Sequence, residues 1–240
     1  MKLQPKKCDL YATELVWCGH HISERGVSVN PDFVRSLLEM SQPETVADIQ
    51  QFLAASNWIR GRIPEYATIV APLQNLLQEA LATKKKRTKR IAAGISLAEA
   101  GWGAVHDEAF TRTRNAIAAA VTVAHPDPSK CFCLFTDASS EHWASVLTQI
   151  ADEELQLPIE EQAHKPLAFL SGTFRGAQVR WAIPDKEGFA VKESCVKLCH
   201  LLIRRKGFRI CTDHRNLLYI FNPAGFATSV PKPMADRLER

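Results

Sequence analysis

The chain has 240 residues, of which 46% are hydrophobic and 23% charged, and it contains 11 glycines and 13 prolines. These proportions are typical of a soluble globular protein, and they exclude a collagen, a coiled coil and a wholly disordered chain. The longest apolar run, residues 116–124, is about half the length that spans a bilayer. The formal net charge of +4 is only mildly basic, so a polyanionic partner must be argued from clusters of charge.

The N-terminus and the cysteines bear on the compartment. The first residues lack the apolar stretch of a signal peptide. The 7 cysteines include no C-x-x-C pair, which favours reduced thiols. We therefore expect an intracellular protein without a membrane partner, in either the cytoplasm or the nucleus.

The first third of the chain predicts a hairpin followed by helices. Apolar residues 15–18 and 26–29 flank a polar turn, as in two antiparallel strands. Three helices with apolar residues at helical spacing are predicted next. They begin at Pro31, at the capping pair Thr45 and Asp48, and at about Tyr66.

A dense basic segment follows these helices. Six of the seven residues at positions 84–90 are basic, namely Lys84, Lys85, Lys86, Arg87, Lys89 and Arg90. One interpretation is a solvated, mobile linker, because like charges at this density repel one another. The other is electrostatic attraction to a nucleic-acid backbone, which needs charge density but no defined structure.

The remaining chain predicts a mixed α/β domain. A helix over 106–120 precedes residues 131–135, a continuous apolar run typical of a strand that is buried on both faces. Further elements are strands at 145–150, 166–170 and 208–212, a helix from Pro184 to about residue 204, and a short helix after Asn216. This order of strands and helices indicates an α/β or α+β fold.

Two aspartates come directly after predicted strands. Asp137 follows the buried strand, and Asp213 follows strand 208–212. If these strands are parallel neighbours, both carboxylates leave the sheet at the same edge, where open α/β sheets bind their ligands.

Glu187 is predicted to face the sheet from the first turn of its helix. The apolar stripe of this helix runs in steps of 4, 3 and 4 residues, and one step back from Val191 reaches Glu187, whereas Lys186 lies off the stripe. Three converging carboxylates repel one another unless a cation joins them, and such ligands suit Mg²⁺ or Mn²⁺. The alternative is that the aspartates cap the following elements and Glu187 complements the helix dipole. The spacing alone leaves both interpretations open.

Three tryptophans also raise two interpretations. Trp17, Trp58 and Trp181 could stack on nucleic-acid bases, but each lies in an apolar run. A place in the core is therefore the favoured interpretation.

Five blocks of the second half stand in a characteristic order and spacing. They are residues 134–139, 146–149, 166–171, 185–191 and 211–217. Together they resemble the ribonuclease H domain of gypsy-like retrotransposon Pol polyproteins. Upstream, residues 18–20, 51–53 and 71–73 resemble the thumb and connection that follow the reverse transcriptase palm in the same polyproteins.

The resemblance implies a ribonuclease H-like fold that hydrolyses the RNA strand of an RNA–DNA hybrid with two Mg²⁺ or Mn²⁺ ions. Asp137, Glu187 and Asp213 match the first three of the family's four acidic residues. The fourth is expected on a last strand and helix beyond residue 240, so Asp236 is not assigned that role. For His214, the choice between substrate positioning or product release and a plain turn residue is left open.

The resemblance also implies a division into three parts. These are residues 1–82 as the thumb and connection, 83–103 as a basic linker, and 104–240 as a ribonuclease H-like domain that is incomplete at its C-terminus. Besides the hybrid, the expected partner is the remainder of the Pol polyprotein, with its polymerase palm and integrase. Because the palm is expected before Met1, we do not expect this chain to polymerise DNA by itself. The alternatives to a nuclease are a hybrid-binding fragment without catalysis and an element remnant without a selected role.

Overall fold

The computed structural model of the chain describes residues 11–82, 84 and 88–221. Near the N-terminus, strands β1 (Leu15–Trp17), β2 (His20–Ser23) and β3 (Gly26–Val29) form an antiparallel sheet in that order. The predicted hairpin is thus a three-stranded meander. The additional strand exists because Cys18 and Gly19 reverse the chain, with φ angles of 49° and 78° that form a tight turn.

Five helices follow this small sheet within the described residues. They are α1 (Pro31–Leu38), α2 (Val46–Trp58), α3 (Tyr66–Ala82), α4 (Lys89–Ala93) and α5 (Ala104–Ala118). The predicted helix starts are confirmed: Pro31 opens α1, and Thr45 and Asp48 form a reciprocal capping box at the start of α2. Fully buried apolar side chains of α2, α3 and α5 share one core, among them Ile49, Val70 and Ile117.

The buried side chains show which segments of the chain pack in the same core. Ala92 and Leu97, inside the predicted linker, are 0% and 4% exposed and join the core of the N-terminal helices. Helix α5 belongs to the same core, whereas the next core residues after it pack in the second sheet. The N-terminal helices therefore form one packing unit that extends to about residue 120. The division at residues 82 and 104 stays a prediction.

The second half is built on a mixed sheet of four strands. Their order is β6 (Lys165–Thr173), β5 (His142–Ile150), β4 (Cys131–Ala138) and β7 (Arg209–Cys211). Only the β4–β7 pair is parallel among these strands. Helices α6 (Ile183–Lys197), α7 (Cys199–Leu202) and α8 (Arg215–Ile220) complete this part of the described chain. The single helix predicted from Pro184 to about residue 204 is broken between α6 and α7, where Leu198 departs from helical geometry.

Helix α6 covers one face of the mixed sheet. Phe132, Leu134 and Leu147 on the strands pack against Leu198 and Leu202 beyond the end of α6. The predicted α+β architecture is confirmed. No helix within the described ranges is both long enough and apolar enough to cross a lipid bilayer.

The N-terminal unit lies against the outer strand β6. The backbone N–H of Ala67 donates to Ser171 Oγ at 2.9 Å, and the Arg60 guanidinium donates to the Ser171 carbonyl oxygen at 2.7 Å. Val27 of β3 forms an antiparallel bridge with Val123, in the segment between the two cores. These contacts join the two halves along the edge of the mixed sheet.

Candidate metal centre

Asp137 and Asp213 lie at the same end of the mixed sheet. Asp137 is the next-to-last residue of β4 and does not follow the strand as predicted, whereas Asp213 lies two residues beyond β7. Strands β4 and β7 run parallel, and Phe135 is the partner of Cys211 in their ladder. Each aspartate lies two residues beyond its member of that pair, so both reach the sheet edge at the same height. The condition under which the two aspartates were expected to meet, a parallel pairing of these strands, is met.

Glu187 reaches the same place from helix α6. It is only 4% exposed, and it shares the inward face of the helix with Ala190, Val191 and Ser194. Its Oε1 accepts a hydrogen bond of 3.2 Å from the backbone N–H of Ala138, the residue after Asp137. The predicted inward direction of Glu187 is confirmed, and the helix docks against the end of β4 through this carboxylate.

The three carboxylates converge. One oxygen from each of Asp137, Glu187 and Asp213 lies within 4.8 Å of the others, with the two aspartates exposed and the glutamate buried. Burial, together with the negative charges of Asp137 and Asp213, raises the pKa of Glu187 to about 7 against the lowering effect of the Ala138 N–H. Without a cation, burial and the two neighbouring negative charges therefore disfavour the ionised form of the Glu187 carboxylate.

The donor set fits a hard divalent cation. Glu187 Oε2 is buried and has no hydrogen-bond partner among the described residues, so one oxygen of the buried carboxylate is left for a ligand. All the donors are carboxylate oxygens, which Mg²⁺ and Mn²⁺ prefer. The arrangement could therefore hold a metal ion at the sheet edge.

Open clefts lie on both sides of Asp137. A cleft of about 520 Å³ contains Asp137 and Asp213 together with Ile210 and Leu218. A second cleft of about 210 Å³ lies between Asp137 and residues Pro64 and Glu65 of the N-terminal unit. The acidic cluster is thus accessible to a large, extended ligand. The local sequence around Pro64 and Glu65 does not predict that the N-terminal unit lines this second cleft.

The structure describes part of the basic segment and all of His214. Lys84, Lys89 and Arg90 are exposed, whereas Lys85, Lys86, Arg87 and Asp236 lie outside the described residues. His214 is half-buried at the start of α8, its backbone N–H donates to Thr212 Oγ1 at 3.1 Å, and its Nε2 is buried without a hydrogen-bond partner. These contacts do not decide between the two roles considered for His214.

Two expectations about side-chain burial are wrong. Trp17 and Trp58 are 64% and 53% exposed, because β1 forms the outer strand of the small sheet and Trp58 ends α2 at the surface beside His20. Trp181 is half-buried, 5.6 Å from the Phe189 ring. Lys186, which the helical spacing puts off the inward stripe, is only 3% exposed.

Comparison with known proteins agrees with this geometry. Residues 127–238 match the family model described as an RNase H-like domain found in reverse transcriptase. The mixed sheet and its helices thus have an RNase H-like fold. The chain is similar to the Transposon Tf2-3 and Tf2-4 polyproteins of Schizosaccharomyces pombe, with 27% identity over 235 residues, which is 98% of this chain and 15% of each polyprotein. The chain therefore spans about 15% of the length of these relatives.

Solved structures share the fold across both halves. The foamy viral protease-reverse transcriptase in complex with RNA/DNA hybrid superposes with a TM-score of 0.68 at 16% identity, covering 98% of this chain and 28% of the viral chain. Its complex with dsDNA superposes with a TM-score of 0.66 at 18% identity, covering 95% of this chain and 41% of the viral chain. The likeness extends to the N-terminal unit as well as to the mixed sheet.

Proposed function

We propose that this chain is part of a gypsy-like retrotransposon polyprotein and hydrolyses the RNA strand of RNA–DNA hybrids with two Mg²⁺ or Mn²⁺ ions. The observation that carries this proposal is the convergence of Asp137, Glu187 and Asp213 within 4.8 Å at an accessible sheet edge. The match of residues 127–238 to the RNase H-like family model supports the same reaction class.

The buried glutamate and the two exposed aspartates contribute differently in this proposal. Asp137 and Asp213 present exposed carboxylates from neighbouring strands, and Glu187 supplies a buried carboxylate beneath them. The Ala138 N–H holds Oε1 of Glu187, which leaves Oε2 as the ligand atom. When bound, a pair of divalent ions activates an attacking water and stabilises the leaving oxygen of a phosphodiester.

The proposed substrate is a nucleic-acid hybrid, because the site is open rather than enclosed. The accessible clefts beside Asp137 leave room for a polymer backbone. The exposed side chains of Lys84, Lys89 and Arg90 supply positive charge on the N-terminal unit. A related viral enzyme, in complex with RNA/DNA hybrid, has the same fold over 98% of this chain.

Cleavage of a labelled hybrid tests the proposal. The chain should cut the RNA strand in the presence of Mg²⁺ or Mn²⁺, and Asp137→Asn and Glu187→Gln should each abolish the cutting. Glu193→Gln is the matched control, because Glu193 lies on the same helix as Glu187 but pairs with Lys197 at 3.0 Å. An intact hybrid after incubation of the folded wild-type chain with either ion would refute the nuclease function.

The exposed basic residues also support a second candidate, a hybrid-binding module without turnover. In that case the affinity for the hybrid falls steeply with salt and is unchanged by Asp137→Asn. Binding that does not depend on salt would contradict this candidate.

A further inference from the structure

Lys186 is a buried lysine beside the candidate metal centre. It is 3% exposed, and it precedes Glu187 on helix α6. Its Nζ donates to the carbonyl oxygen of Ser140 at 2.5 Å and to that of Val179 at 2.9 Å. The same ammonium lies 5.3 Å from the centre of the Phe174 ring.

These contacts offset the free-energy cost of burying the Lys186 ammonium. A buried ammonium loses its hydration, and the loss is offset only where hydrogen-bond acceptors replace the water. Two carbonyl oxygens and one aromatic face provide that replacement here. Lys197 of the same helix is arranged differently, because it is exposed and pairs with Glu193 at 3.0 Å.

The acceptors of Lys186 lie on two different segments of the chain. Ser140 belongs to the turn between β4, which carries Asp137, and β5. Val179 belongs to a short 3-10 turn, Gly176–Arg180, that precedes α6. One ammonium therefore ties the start of α6 to the end of β4.

Lys186 and Glu187, which are adjacent on α6, bind backbone groups at the end of β4 and in the turn that follows it. Glu187 Oε1 accepts the N–H of Ala138, and Lys186 donates to Ser140 two residues later. Repulsion by Asp137 and Asp213 pushes the Glu187 carboxylate away from the cluster when no cation is bound. A second anchor one residue away opposes that movement.

We propose that Lys186 is a positioning residue that holds Glu187 against the end of β4, within reach of a metal ion shared with the two aspartates. This inference rests on the proposed metal-dependent function, and it adds a residue that contacts neither the metal nor the hybrid. Because outer residues that orient metal ligands typically contribute a factor of about 10 to 100 in metal affinity, the expected effect is measurable.

The test compares Lys186→Met with Lys197→Met on the same helix. Mn²⁺ is titrated calorimetrically into the metal-free full chain, and backbone hydrogen exchange is followed at Ala138, whose N–H is bonded to Glu187. Lys186→Met should weaken Mn²⁺ binding by about tenfold and accelerate exchange at Ala138. Lys197→Met should leave both at wild-type values. A merely structural role would lower the melting temperature and accelerate exchange throughout the mixed sheet to the same degree, rather than at Ala138 in particular, and it would leave Mn²⁺ binding unchanged.

A folded Lys186→Met chain with wild-type Mn²⁺ affinity would overturn the inference. If the wild-type chain binds no Mn²⁺, exchange at Ala138 decides instead, and an unchanged rate overturns it. If Lys186→Met does not fold, Lys186→Gln replaces it in both measurements, with the same expectations. Neither readout requires turnover, so a wild-type chain that fails to cut the hybrid refutes the proposed function and leaves the test of Lys186 intact.

Discussion

The indole of Trp143 lies directly against Gly172, its partner on the neighbouring strand β6. A Cβ atom on Gly172 would stand 2.5 Å from Trp143 Nε1, closer than such contacts allow. Trp143 is 5% exposed and packs with Ala138 and Phe174 next to the acidic cluster. The glycine is therefore required by the indole, although its own backbone conformation is ordinary.

Gly172→Ala should destabilise the chain by about 1–3 kcal/mol, because the buried indole has to shift. Thermal unfolding measures this as a fall of several degrees in the melting temperature. Gly61→Ala is the control, since a Cβ there makes an ordinary contact of 3.9 Å with the Phe169 carbonyl oxygen. Equal melting temperatures for the two variants would contradict the packing of Trp143.

Glu187→Gln should stabilise the metal-free chain at pH 8 more than at pH 5. The folded-state pKa of Glu187 is about 7, above the ordinary value of 4.5, so the folded chain binds this proton more tightly than the unfolded chain does. The stabilisation from that proton is present below about pH 4.5 and is lost as the pH rises through about 7. Glutamine has no ionisable carboxyl, so the variant does not lose this stability as the pH rises.

The expected gain at pH 8 is on the order of 1–2 kcal/mol, measured by urea unfolding in the presence of EDTA. Glu193→Gln is the control for the loss of a carboxylate on the same helix, because Glu193 lies outside the acidic cluster and pairs with Lys197. A Glu187→Gln chain that is equally stabilised at pH 5 and pH 8 would show that charge at this position is not the cause.

Mn²⁺ should raise the melting temperature of the wild-type chain, and EDTA should reverse the rise. A ligand at one hundred times its dissociation constant stabilises the folded state by about 2.7 kcal/mol, which is several degrees for a chain of this size. The rise should be lost in Asp213→Asn, because one of the three converging ligands loses its charge. An equal rise in Asp213→Asn would place the binding site elsewhere.

Ser171→Ala should weaken the contact between the two halves. The substitution leaves the buried N–H of Ala67 without its acceptor, which costs about 1–3 kcal/mol. Urea unfolding should show the loss, whereas Ser36→Ala, whose hydroxyl is exposed on α1, should remain near the wild-type stability. A Ser171→Ala chain as stable as the wild type would mean that this hydrogen bond contributes nothing to the interface.

The sequence predicts those features of the fold and site that depend on local patterns. The capping box of Thr45 and Asp48 begins α2 because its two hydrogen bonds join residues three apart. The inward direction of Glu187 follows from the spacing of apolar residues along one helix. The sequence does not predict that β4 pairs with β7, because no local pattern specifies which distant strands become neighbours.

Other features depend on partners that are far away in the sequence. Lys186 can be buried because the carbonyl oxygen of Ser140, 46 residues away, accepts a hydrogen bond from its ammonium, and no pattern on the helix encodes that contact. Trp58 is exposed although it ends an apolar helix, because only one side of α2 meets the core at that point. The sequence does not predict the turn at Cys18, because a residue other than glycine adopts a positive φ there.

The two outer strands of the mixed sheet differ in how they are protected from pairing with another molecule. Strand β6 is masked by the N-terminal unit through Ser171, whereas β7, the outer strand on the other side in the described chain, is only 3 residues long. An outer strand this short offers few free backbone groups as a template for aggregation. Detaching the N-terminal unit would therefore expose β6, the longer of the two outer strands among the described residues.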